Sequence, residues 1–97
     1  MKDLTKELLT DAQQMAKDNP DTFEAPATED LDSIKEGSFV KICAAESERF
    51  WVKVTRVEDN LIEGTVDNQL IYSDEHGLDL GDIIKCEKKH VYQTMEP

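Results

Sequence analysis

Residues 49–57, Arg49-Phe50-Trp51-Val52-Lys53-Val54-Thr55-Arg56-Val57, decide the fold. Phe50, Val52 and Val54 alternate with Trp51, Lys53 and Thr55, the period of two that belongs to a strand with one buried face. Glu58-Asp59-Asn60 follows, three residues that favour turns. Residues 61–66 then run back with Ile62, Gly64 and Val66 on one face, so the two segments predict a hairpin. Upstream, Gly37-Ser38 leads into a strand over 39–44, with Val40, Ile42 and Ala44 sharing a side. Downstream, 68–72 is expected to prolong the hairpin's second strand beyond a bulge. Residues 73–82 read as a loop, 83–87 as a strand and 90–93 as a short last one. Five short strands with polar turns predict a small, strongly bent antiparallel sheet or barrel of the SH3-like kind.

The first part of the chain has another rhythm. Leu4, Leu8, Ala12, Met15 and Ala16 recur at spacings of three and four, with Leu9 widening the stripe, so 3–18 predicts an amphipathic helix. Asp3 is its candidate N-cap, and Asn19-Pro20 stops it. A helix of this length is marginal alone in water, so its stripe is expected to dock on the body of the same chain; the alternative is a partner or dimer contact. Residues 19–36 form an acidic connector. A short helical turn over 28–34 is expected there, capped by Thr28, with Leu31, Ile34 and Phe23 pinning it to the body. The fold class is therefore α+β in a single domain, 1–97: an N-terminal helix within 1–18, the connector 19–36, and a barrel-like body 37–97.

Composition bounds the function. The chain has 97 residues, enough for one core. Its 22 acidic residues outnumber 11 basic ones, a formal net charge of −11. That excess opposes direct binding to nucleic-acid phosphates and to anionic membranes. No stretch reaches 18 apolar residues and no secretory leader is legible, so a cytoplasmic location is expected. Cys43 and Cys86 then read as small buried thiols.

Taken in order, Asn19-Pro20-Asp21-Thr22-Phe23-Glu24-Ala25-Pro26, Gly37-Ser38-Phe39-Val40-Lys41, Glu48-Arg49-Phe50-Trp51-Val52-Lys53-Val54, Gly64-Thr65-Val66-Asp67-Asn68 and Leu80-Gly81-Asp82-Ile83-Ile84 resemble the bacterial family filed as domain of unknown function number 2314. The resemblance spans most of the chain, and its core is the 48–54 segment. It implies a bacterial or phage-borne cytoplasmic module with a small SH3-like body. It carries over no catalytic residue.

Candidate chemistry is sparse. A Cys–His nucleophile would need Cys43 or Cys86 within reach of His76 or His90, and nothing in the spacing brings them together. Ser47 and Ser73 lack the glycine pattern of a nucleophile elbow. Asp74, Glu75, His76 and Asp79 lack the ligand spacing of calcium or zinc sites, so a solvated acidic loop is the plain reading. The four glycines are scattered and cradle no phosphate. No catalytic residue, cofactor or metal is expected, and the chain reads as a non-enzyme.

Charge pattern carries the rest. Residues 57–84 hold eight acids, Glu58, Asp59, Glu63, Asp67, Asp74, Glu75, Asp79 and Asp82, and no Lys or Arg. The plain reading is solubility, which would make the chain an accessory or structural domain. The sharper one is an acidic protein-binding module covering a basic surface of a partner, as an inhibitor, immunity or counter-defence protein would by imitating nucleic-acid charge. Trp51, on the strand face opposite Phe50, Val52 and Val54, is either covered by the helix or connector or is an exposed anchor for that partner. Those eight acids and Trp51 are the candidate partner-binding residues.

Overall fold

The computed structural model describes residues 2–4, 9–21, 25–44, 48–71 and 77–96. Its elements in chain order are β1 (Lys2–Asp3), α1 (Ala12–Asp18), α2 (Thr28–Asp32), β2 (Phe39–Ala44), β3 (Glu48–Glu58), β4 (Leu61–Val66), β5 (Ile83–Glu87), a 3-10 turn (Lys88–His90) and β6 (Gln93–Met95). The fold is α+β. Five strands, β5-β4-β3-β2-β6, pair antiparallel, and β1 joins β5 in parallel at one edge.

Alternation in the central hairpin does what the period of two demands. Phe50, Val52 and Val54 of β3 and Ile62 and Val66 of β4 are buried, as are Val40 and Ile42 of β2 and Ile84 and Cys86 of β5. Together with Leu70, Leu78 and Val91 they form one hydrophobic cluster. The register of β3 on β4 shifts between Val54 and Arg56. This bulge returns Val57 to the core side opposite Ile62 after Thr55 has faced water. At the hairpin's turn Asp59 takes a left-handed backbone, φ 53°, a conformation Asp tolerates better than most residues.

The segment before α1 departs from the expected helix over 3–18. Lys2–Asp3 is a strand paired with Ile84 and Lys85, the Leu4 N–H donates to the Lys85 carbonyl at 2.7 Å, and Leu9 bridges to Ala44. Helix begins only at Ala12, with Asp11 as N-cap accepting from the Gln14 N–H at 3.0 Å. The physical reason is the open edge of β5, whose N–H and C=O groups reward an extended partner. The leucines are still buried, Leu4 and Leu9 in the cluster, so the stripe meets the body in extended form. Leu8 lies outside the described residues, as does Phe23. Within α1 only Ala12 is buried, and the Gln13 amide donates to the Pro26 carbonyl at 3.1 Å.

Three smaller differences have local causes. α2 starts at Thr28, with Ala27 at the cap position and no side-chain cap bond; Leu31 packs against the cluster and Ile34 is buried within it. Residues 67–71 do not continue β4. The Asn68 side chain accepts the Trp51 N–H at 2.7 Å in place of a backbone carbonyl, which frees the main chain to leave the ladder. Glu48, itself buried, accepts the Ile71 N–H at 2.8 Å. Residues 88–90 form a 3-10 turn, so His90 does not open the last strand, because Glu87 and His90 cap each other: the Glu87 N–H donates to His90 Nδ1 at 3.1 Å and the Glu87 carboxylate accepts the His90 backbone N–H. The last strand therefore begins at Gln93, three residues later than the sequence suggests.

Candidate functional site

The sheet has one apolar face, filled by the cluster, and one open face, on which no helix among the described residues packs broadly. Registers fix which side chains share the open face. Met95, Phe39, Lys53, Thr65 and Ile83 stand opposite one another across five strands. In the adjoining row Gln93 faces Lys41 and Lys41 faces Trp51. The Asp67 N–H donates to the Trp51 carbonyl at 2.9 Å, which sets Asp67 beside Trp51 at the row's end. Trp51 is half-buried, and the Lys41 ammonium lies 5.5 Å from its ring centroid. One row further on, the Arg49 guanidinium stacks 4.7 Å from the centroid of Tyr92, whose hydroxyl pKa burial pushes up.

The expected acidic site does not assemble as one patch. Glu58 and Asp59 sit at the β3–β4 turn, both exposed, and Glu58 is paired with Arg56 at 2.8 Å. Glu63 stands between Arg56 and Lys85 on neighbouring strands. Asp67 lies past the other end of β4, about 20 Å from Glu58 at the usual strand rise. Asp79 and Asp82 close a turn near that end: the Asp79 N–H donates to the Asp82 carboxylate at 2.9 Å, and the Val66 N–H donates to the Asp82 carbonyl at 2.9 Å. Asp82 is thus engaged in local structure, while Asp79 and Asp67 are exposed. Asp74 and Glu75 lie outside the described residues.

A second group of acids is more concentrated. Glu29, Asp30 and Asp32 of α2 are all exposed. Asp32, Thr28 and Leu31 line a shallow cleft of about 250 Å³ with Asn60 of the β3–β4 turn and with Glu87, Lys88 and Lys89. Asp32 and the β3–β4 turn therefore meet across one cleft, while Asp30 lines a second one with Met95 and Glu96. Lys88 approaches Asp32 at 4.0 Å and Lys89 approaches Glu87 at 3.4 Å.

Among the described residues no three His, Cys, Asp or Glu side chains stand close enough to hold a metal ion. Both cysteines are buried and free. Burial, with Glu87 beside it, pushes the Cys86 thiol up to about 12, which keeps it protonated and a poor nucleophile. Cys43 on β2 and Cys86 on β5 are separated by two intervening strands. Burial also holds the His90 pKa below its usual value, against the opposing pull of Glu87. No helix among the described residues is long and apolar enough to cross a membrane.

The sequence reading placed Trp51 with Lys53 on the face away from the core, but it missed Lys41 and Met95 as neighbours. Their alternation was legible; the register that brings β2 and β6 alongside was not. No protein-family model matches the chain, and no curated protein and no solved structure matches it significantly.

Proposed function

We propose that the chain is a non-enzymatic protein-binding module that presents an acidic flank to a basic surface of a partner protein. The observation that carries this reading is the docking of α2: Leu31 and Ile34 turn inward, and Glu29, Asp30 and Asp32 are left exposed, with Asp32 across a cleft from Asn60 of the β3–β4 turn. Such a field attracts cationic surfaces and speeds their encounter at low salt. Its sharper form is an inhibitor, of the immunity or counter-defence kind, that occupies a nucleic-acid-binding surface by offering carboxylates where phosphates would sit. The net charge of −11 supports the companion reading that the chain does not itself bind nucleic acid or anionic membrane. The raised Cys86 thiol and the dispersed acids support the absence of catalysis.

Kinship with the domain-of-unknown-function family 2314, and an SH3-like barrel for the body, belong to the same proposal. They are supported by the order of the quoted segments along β2, β3, β4 and β5 and by the bulge that bends β3.

The test is affinity capture from host lysate with the tagged protein, washed at low and then moderate salt, beside a Glu29→Lys/Asp30→Lys/Asp32→Lys variant whose fold is checked by circular dichroism. Loss of a basic partner both with salt and with charge reversal supports the proposal. A partner set untouched by the reversal overturns it and leaves the acidity as a solubility feature of an accessory domain.

A further inference from the structure

The open sheet face has the opposite character to the acidic flank, and its argument stands apart from the one above. Among the described residues, the half of the face built by β2, β3 and β6 carries Lys41, Lys53 and Arg49, with Asp67 at one margin and Asp30 and Glu96 beside Met95 at the other. The other half neutralises itself: Arg56 pairs with Glu58, and Glu63 stands opposite Lys85. A chain with twice as many acids as bases has thus gathered three of its cations around one tryptophan. Beside them lies apolar surface: Phe39 and Trp51 are half-buried, while Met95 and Ile83 are 51% and 55% exposed. The belt across five strands is about 19 Å wide, more than the diameter of an α-helix. A sheet face carrying apolar side chains ordinarily lies under a second layer.

We infer that this face docks an acidic amphipathic helix of a partner protein. The partner's apolar stripe lies over Phe39, Trp51 and Met95, and its flanking carboxylates meet Lys41, Lys53 and Arg49. Charge complementarity selects this occupant. A second copy of the chain would set the same cations against one another across an isologous contact and would bring together two bodies of net charge −11. A nucleic-acid strand would be repelled by the molecule as a whole, at a net charge of −11. A short helix carries its negative charge only where the local cations are.

Trp51 is the only tryptophan, so it reports on its own face. The experiment titrates the protein with a helical peptide bearing a leucine stripe flanked by Glu, with the same peptide carrying Lys for Glu, and with an oligothymidylate. It follows Trp51 emission and backbone amide shifts. The Glu peptide is expected to move Trp51 emission and to shift amides in 39–41, 51–53 and 93–95, with affinity falling as salt rises. A Lys41→Glu/Lys53→Glu variant should weaken it by about tenfold or more, the equivalent of about 0.7 kcal/mol for each lost cation. The inference is overturned if the Glu peptide leaves these signals unmoved, if the Lys peptide or the oligothymidylate binds as well, if the shifts map to another surface, or if the double variant binds undiminished. Self-association through this face in the absence of peptide, seen by sedimentation, would overturn it too.

Discussion

Gly64 shows how closely the central strands approach. A β-carbon there would come within 2.5 Å of the Lys53 carbonyl oxygen and of Val52 Cγ1, next to the bulge of β3. Gly64→Ala must move the backbone of one strand, and urea unfolding should show a loss of about 1–3 kcal/mol, typical of overpacking. A loss below about 0.5 kcal/mol would mean that β3 and β4 give way without strain. Trp51 behaves differently. It is not a core residue, so Trp51→Ala is expected to fall short of the roughly 3–5 kcal/mol of a buried aromatic. Part of its contribution is shared with Lys41 above its ring. A double-mutant cycle of Trp51→Ala and Lys41→Ala should return a coupling of about 0.5–1 kcal/mol, and a coupling near zero would show that the ammonium merely passes over the ring.

At the scale of elements, the strands with strong alternation were legible and those set by side-chain capping were not. β2, β4 and β5 fall where the sequence places them, because Val40, Ile42, Ile62 and Ile84 leave little choice of face. The end of β4 depends on one Asn68 side chain replacing a carbonyl, and the start of β6 on a reciprocal Glu87–His90 cap; neither interaction has a hydropathy signature. The candidate site was legible in the same partial way. Trp51 and Lys53 could be assigned to the outer face, while Lys41 and Met95 needed the register, and Asp32 of α2 needed to be seen across a cleft from the β3–β4 turn. The 3-10 cap also titrates. His90 Nδ1 must be unprotonated to accept the Glu87 N–H, and burial lowers its pKa from 6.5. The native state thus binds a proton less readily than the unfolded chain. The contribution is fully present above pH 6.5 and is lost as the pH falls through the lowered native value. Most carboxylates stay ionised above about pH 5, so the window is clear of their titration. Unfolding followed between about pH 7 and pH 5 should show stability falling, and His90→Gln should flatten that slope. An equally steep slope in the variant would place the titration elsewhere.

For the whole molecule, a formal charge of −11 on 97 residues means that compaction works against self-repulsion. Raising monovalent salt from low levels to about 0.15 M, where the Debye length is about 8 Å, should increase the urea midpoint. A midpoint unchanged or lowered by salt would mean that local pairs such as Arg56–Glu58 outweigh the net field. The two edges of the sheet carry a consequence of another kind. β1 pairs with β5, whose residues are made more than eighty positions later, and β6 pairs with β2, made more than fifty positions earlier. The β3–β4 hairpin can close as soon as it has been synthesised, because its partners are neighbours in sequence. Lys2–Asp3 and Leu4 have no partner to meet until Ile83–Glu87 exists. Lys2–Leu4 is therefore translated long before the strand that seats it, and one edge of the sheet stays open until late in synthesis.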